Sequence, residues 1–317
     1  MSRSSRALKL SIFAPIALTG LFSCASNKTY TEAVYAFGTT WSINLYEGNE
    51  QVLHDVVSYI HETSLLFDAN PTNVAGVYAL NKNGYLDHPD SRLIEAINLG
   101  QRVESESDGA YCLCLGELTS TWLNALDKDE VPEAGIIDEL LEEAKATTLT
   151  LTQDRLVKTG NGKLDLGSLG KGFALRGVKA ILEKNDITKY FINAGTSSLL
   201  LGENSSPSGS VKVILEDAKD RYFVAKNQSV SVTAVSRQLY EVGGKRYSHV
   251  IDARNGSAEV VYDALCLAGD DPALLDAYST AFFFAGESKL KQLETVGIKA
   301  ALMKGGSVVY ETPSFLD

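Results

Sequence analysis

Apolar residues recur at helical spacing over residues 51–66, where Val52, Leu53, Val56, Val57, Ile60 and Leu65 predict an amphipathic helix packed on the core. Ahead of it, AFGTTWSINLY (36–46) alternates polar and apolar residues and predicts a strand entered through Gly38. FDANPTNVAGVYALN (67–81) is rich in turn formers and predicts a loop. A second helix is expected from the cap Asp90, with Leu93, Ile94, Ile97 and Leu99 on one face. Residues 113–126, with Trp122 in the core, and 136–146 predict two more helices, and TLTLT with RLVKT predicts a hairpin. After a helical run, FALRGVKAILEKN, the stretch YFINAG reads as a buried strand ending in a tight turn. VKVIL, SVSVT, KRYSHVID and DALCLAG predict further strands, and residues 271–284 a helix opened by Asp271-Pro272. Helices and strands do not alternate regularly, which favours an α+β fold over a doubly wound sheet.

The amino terminus follows another pattern. Arg3, Arg6 and Lys9 precede a mostly apolar run over residues 10–21, and LFSC closes it at Cys24. This is an export signal. A cysteine after the small Ser23 resembles the lipobox of bacterial lipoproteins; the other readings are secretory cleavage near Ala25 or a short membrane anchor. The apolar run is short for a membrane span. The expectation is therefore a signal over residues 1–23, lipidation of Cys24, a tether over 24–34 and one domain over 35–317. The product would be exported and held at the periplasmic face of a bacterial membrane.

Removing the signal changes the charge balance. The 29 Lys and Arg of the chain fall to 26 against 40 Asp and Glu, a net charge of −14. That acidity argues against nucleic acid and against adhesion to anionic lipid, and it requires a local cation if the ligand is an anion. Cys112, Cys114 and Cys266 show no metal-ligand spacing, and buried thiols are expected. The four histidines are scattered, without an HExxH motif.

Candidate chemistry centres on LDLGSLGKG (164–172), where Gly167, Gly170 and Gly172 permit sharp turning or close approach. Asp165 precedes the turn and Lys171 lies within it, ahead of a helix whose amino end suits an anion. A plain strand-to-helix turn with a solvated lysine is the other reading. It is not a Walker A loop, because Gly172 stands where Ser or Thr would hold magnesium. Asp276 and Thr280, four apart on a helix, offer two hard oxygen ligands suited to Mg²⁺, or else simply interact with each other. His249, beside Asp252, is a candidate base or a structural histidine.

Six segments in the same order resemble the ApbE family, the FAD:protein FMN transferases. FGTTWSI is similar to MGTTWSI, SDGAYCLCLGEL to TDGAFDPTVGPL, and LDLGSLGKGFA to LDLGGIAKGYA. FINAGTSSLLLG is similar to VNAGGDIRALG, RYSHVIDARNG to RYSHIIDPRTG, and LLDAYSTAFF to LADALATALF. The resemblance implies an ApbE-like, T-fold-like α+β architecture of mixed sheets flanked by helices. It implies transfer of FMN from FAD to a Thr or Ser of an acceptor protein, with AMP leaving. By position, Phe37, Ala110, Tyr111, Cys112, Asp165 and Lys171 would contact FAD, and Val250 and Ile251 would wall its pocket. Asp276, Thr280 and the backbone oxygen of Ser168 would hold Mg²⁺, and His249 or Asp252 would serve as base. Cys112 replaces an Asp, Ser168 a Gly or Ala, and Asn70 or Pro71 falls where a Tyr often closes over FAD. An open lid admits water, so hydrolysis of FAD to FMN and AMP is the alternative; a flavin-binding lipoprotein without catalysis is another.

Overall fold

The structure, a computed structural model, describes residues 28–70, 75–203, 210–215, 221–236 and 238–316. The export signal and Cys24 lie outside the described residues.

The chain opens with the hairpin β1 (Tyr30–Ala36) and β2 (Thr39–Leu45), then α1 (Glu50–Phe67), α2 (Gly76–Asn83) and β3 (Tyr85–Asp87). Helices α3 (Ser91–Glu106), α4 (Gly116–Leu126) and α5 (Ala134–Ala146) precede the hairpin β4 (Thr148–Thr152) and β5 (Arg155–Thr159), and α6 (Gly170–Lys184) follows. Next come β6 (Tyr190–Ala194), β7 (Ser198–Leu201), β8 (Val211–Ile214), β9 (Tyr222–Ala225) and β10 (Gln228–Ala234). The remainder is β11 (Leu239–Val242), β12 (Lys245–Asp252), β13 (Ser257–Glu259), β14 (Ala264–Gly269), α7 (Pro272–Ala281), α8 (Glu287–Glu294), β15 (Lys299–Lys304) and β16 (Ser307–Glu311).

Eight strands form the main sheet in the order β1-β2-β6-β7-β10-β14-β15-β16. Every ladder in it is antiparallel, so the expected mixed sheets are antiparallel ones. α1 and α6 cover the β1-β2-β6 end through Val56, Ile60, Ala174, Val178 and Ile192. The larger core gathers α3, α4 and α7 around Trp122, Phe173 and Phe283. A third cluster, with Phe223, Cys266 and Phe315, lies under the β8-β9 hairpin. The three described cysteines, Cys112, Cys114 and Cys266, are free thiols.

Three expectations are corrected. The tether expected to run to residue 34 overlaps β1, which pairs with β2 from Tyr30 onward. The strand expected over 36–46 is the second arm of that hairpin, whose turn is Phe37-Gly38 with φ of 51° and 71°. Positive φ at both positions matches strand twist in a two-residue turn, and Asn or Asp usually takes the place Phe37 holds here. Finally, the loop expected over 67–81 contains the start of α2, which buries Val77, Ala79 and Leu80. By contrast, the helix expected from Asp90 is present, and the Asp90 carboxylate accepts the amide of Arg92.

Candidate functional site

The LDLGSLGKG segment is fixed before it turns. The Gly116 amide donates to the Lys163 carbonyl at 2.9 Å and the Asp165 amide to the Leu113 carbonyl at 2.8 Å. The Asn81 side chain brackets Leu164, donating to its carbonyl and accepting its amide, both at 2.8 Å. Leu164, Leu166 and Leu169 are buried, which leaves Asp165 and Lys171 half-buried on the other side. Asp165 Oδ1 accepts the Gly167 amide at 2.8 Å, and the Leu166 carbonyl accepts Gly170's to open α6.

The three glycines serve close approach, since none has a positive φ. A Cβ on Gly170 would lie 2.9 Å from the Phe37 ring, and one on Gly172 would overlap Pro272 and Asp276 of α7. Two of the amino-terminal amides of α6 expected to meet an anion are engaged within the protein, Gly170's by Leu166 and Gly172's by Asp276. Lys171 supplies the positive charge there instead. Among the described residues, its ammonium has no hydrogen bond or ion pair.

Asp276 sits where α6, α7, β7 and β10 converge and is 5% exposed. Its Oδ2 accepts the Gly172 amide at 2.8 Å. Its Oδ1 accepts the hydroxyls of Ser198 at 2.9 Å and Ser231 at 2.8 Å. Strand alternation explains this: Ser229, Ser231 and Thr233 form one face of β10 toward α7, while Val230 and Val232 pack into the opposite core. Thr233 bonds Ser279 at 2.8 Å and reaches Thr280 at 3.4 Å. Because the Gly172 amide goes to Asp276 rather than to its α-helical partner, the Ser168 carbonyl makes no hydrogen bond among the described residues.

This set fits a small hard cation. Among the described residues, this buried carboxylate has three neutral donors and no cation beside it, which leaves one lone-pair site and an uncompensated charge. Thr280 one turn on and the free Ser168 carbonyl add oxygen ligands of the kind Mg²⁺ takes. Among the described residues there is no cluster of three His, Cys, Asp or Glu, so a site with several such side chains, as zinc prefers, does not form.

His249 lies on β12, and its Nδ1 is buried without a hydrogen-bond partner among the described residues. Burial and the charge of Lys171 together lower its pKa from the ordinary 6.5. Asp252, three residues on, is committed elsewhere: its carboxylate grips the Arg254 guanidinium at 2.6 Å and accepts the Arg254 amide at 3.0 Å. It shapes the turn before Gly256. Val250 and Ile251 are buried in the main core.

Asp108 and Gly109 take positive φ and lead into buried Ala110 and Tyr111. The Tyr111 hydroxyl shares a 2.7 Å hydrogen bond with Ser168 Oγ, tying this turn to the glycine segment. The Cys112 thiol is pushed up to about 11, chiefly by burial.

A cleft of about 940 Å³ opens beside these groups, lined by Phe37, Asn70, Asp165 and Lys171 among the expected residues. Ala110, Tyr111, Cys112, Ser168, His249, Val250, Ile251, Asp276 and Thr280 are not in its lining. Lys171 joins the two regions, since it lines the cleft and its charge reaches His249. Lys82 and Lys163 also line the cleft, but Asp68 and Asp165 line it too and Lys163 is paired with Glu117, which leaves Lys171 as its principal anion-binding charge among the described residues. Tyr35 and Leu65, 69% and 61% exposed, flank it. Leu65 thus faces the cleft rather than the core, as its place on α1 had suggested. Sequence reasoning passed over Tyr35, Ser198 and Ser231; only the hydroxyls alternating along SVSVT hinted at the last.

The chain can be set beside known proteins. The FAD:protein FMN transferase of Rhodobacter capsulatus is 25% identical over 302 residues, which cover 89% of this chain and 57% of that protein. This chain therefore spans little more than half of that relative's length. The FAD:protein FMN transferase of Klebsiella pneumoniae (strain 342) is 23% identical over 288 residues, covering 86% of this chain and 89% of that one. The apo form of Pseudomonas stutzeri flavinyl transferase ApbE shares the fold, with a TM-score of 0.74 at 23% identity over 92% of this chain and 97% of that one. The sequence pattern of the ApbE family matches residues 37–302, from the Phe37 turn into β15, and the chain belongs to that family.

Proposed function

We propose that this protein transfers FMN from FAD to a Thr or Ser side chain of an acceptor protein, with Mg²⁺ bound by Asp276, Thr280 and the Ser168 carbonyl. The carrying observation is Asp276, a buried carboxylate held by Ser198, Ser231 and by Gly172, whose amide leaves the Ser168 carbonyl unbonded among the described residues, with the Thr280 hydroxyl one turn on. A protein that only stored flavin would need no such arrangement. Bound there, Mg²⁺ supplies charge stabilisation to the pyrophosphate.

The remaining work falls to the chain. Lys171, which lines the cleft without an ion pair among the described residues, attracts the diphosphate of FAD and pairs with it at the inner end. Phe37, held over Gly170 and pinned by its amide to Ser64 Oγ at 2.8 Å, offers an aromatic face to the flavin. The acceptor hydroxyl is a poor nucleophile until a base removes its proton. His249 is assigned that role because its lowered pKa keeps it neutral near pH 7 and Nδ1 has no competing partner among the described residues. The new bond joins the acceptor oxygen to the FMN phosphorus. The pyrophosphate bond breaks, AMP leaves with the electron pair, and the proton passes to His249.

We place the protein outside the cytoplasm, lipid-anchored through Cys24. With β1 starting at Tyr30, six residue steps allow a reach of only about 20 Å. The catalytic domain would then work close to the bilayer, on acceptors that are themselves membrane-bound.

Asp276→Asn tests the assignment: it keeps the shape and removes the charge. AMP release from FAD with Mg²⁺ and acceptor should be lost while the melting temperature stays close to wild type. Full activity at limiting Mg²⁺ would refute the metal site.

A further inference from the structure

The Asp276 carboxylate is held asymmetrically. Oδ1 accepts two hydroxyl hydrogens, from Ser198 at 2.9 Å and Ser231 at 2.8 Å, and so has both lone-pair positions filled. Among the described residues, Oδ2 accepts one amide hydrogen, from Gly172 at 2.8 Å, and keeps one position open. Both serines are almost completely buried, and Ser198 and Ser231 come from neighbouring strands, β7 and β10, so neither can swing away independently.

Further hydroxyls pack around them, with Ser231 Oγ 3.3 Å from Ser279 Oγ. Ser279 Oγ donates to the Asp276 carbonyl at 2.9 Å, so the 2.8 Å contact between Ser279 and Thr233 has Thr233 as donor. Thr280 Oγ1 lies 3.4 Å from Thr233 Oγ1, a long contact that leaves its lone pairs available to a ligand. Among the described residues this network leaves two oxygens open, Asp276 Oδ2 and Thr280 Oγ1, and the Ser168 carbonyl is likewise unbonded.

We infer that Ser198 and Ser231 are positioning residues that set metal selectivity: by filling Oδ1 they restrict Asp276 to one ligating oxygen. This rests on the metal reading proposed above and goes beyond it. A carboxylate limited to one oxygen suits Mg²⁺, which takes near-octahedral sites with few protein ligands, and penalises Ca²⁺, which takes more ligands and often grips a carboxylate through both oxygens. The serines act through Asp276 and touch neither FAD nor the reacting atoms.

The test uses the mature, full-length protein without FAD. Mg²⁺ and Ca²⁺ affinities are measured by competition against Mn²⁺, followed by electron paramagnetic resonance, for wild type, Ser198→Ala, Ser231→Ala and the double variant. Melting curves report whether each variant is folded, and Ser198→Thr, which restores a hydroxyl, is the conservative control should the alanine variants unfold. The wild type should prefer Mg²⁺. In the double variant the Ca²⁺-to-Mg²⁺ affinity ratio should rise by roughly 10–100-fold, the usual scale for groups that orient a metal ligand, while the threonine variant stays near wild type. An unchanged ratio in a folded alanine variant overturns the role of the serines and leaves the metal site standing. Absence of divalent-cation binding by the wild type overturns the metal site and this inference together.

Discussion

Gly172→Ala separates two helices that the site requires in contact. A Cβ there would overlap the Pro272 carbonyl oxygen and the Cβ of Asp276, and would lie 2.9 Å from the Pro272 carbonyl carbon. These atoms belong to backbone or to the root of a buried side chain, so no rotamer change relieves the clash. Overpacking of this kind costs about 1–3 kcal/mol. Losing the Gly172 amide bond to the buried carboxylate adds about 1.5–3 kcal/mol. Better helix propensity returns about 1 kcal/mol and does not reverse the sign. The net loss, on the order of 2–4 kcal/mol, should lower Tm by roughly 10 °C in a chain of this size. Scanning calorimetry of the mature chain measures it. Gly135→Ala in α5 is the control, because its added Cβ meets nothing within 4 Å and should leave Tm unchanged or slightly raised. A Gly172→Ala protein melting within about 2 °C of wild type would refute the account of why α6 and α7 need glycine at their crossing.

Other outcomes follow from the same geometry. His249→Ala should slow FMN transfer by about 10²–10⁴-fold while FAD binding, followed by flavin fluorescence, stays near wild type; parallel loss of binding and Tm would make it structural. With its pKa below the ordinary 6.5, His249 stays neutral as pH falls past that value, so transfer should decline only at lower pH. The unfolded chain takes up that proton first, so folding stability should fall as pH drops below 6.5 and continue falling to the folded pKa, by less in His249→Ala. Lys171→Gln should move the His249 titration upward, read by proton NMR, because it removes the second cause of the lowering; an unmoved titration would separate the two residues. Cys24→Ser should shift the protein out of the detergent phase in phase-separation assays, and unchanged partition would remove the lipid anchor.

What was legible in the chain depended on distance along it. α1, α3 and α7 announce themselves through helical spacing and side-chain caps at Asp90 and Asp271. Asp276 and Thr280 were visible for the same reason, since four residues is one turn. The β1-β2 turn was hidden because Phe37 occupies a positive-φ position, where sequence patterns lead one to look for Asn or Asp. α2 was hidden because it is only eight residues long and begins at Gly76 within a turn-rich stretch. The hydroxyls on Asp276 could not be found locally: Ser198 and Ser231 are 78 and 45 residues away and arrive by strand pairing. Asp252 looked like a base in sequence, but an arginine two residues on takes its charge.

The most direct test of the proposed activity is to incubate the mature protein with FAD, Mg²⁺ and a candidate membrane-bound acceptor and to measure AMP and flavin together. The account predicts a fluorescent acceptor band that survives denaturation, equimolar with released AMP, and lost when His249 is replaced by alanine. AMP released with an equal amount of free FMN, and no labelled acceptor, would make the protein an FAD pyrophosphatase and contradict the transferase reading.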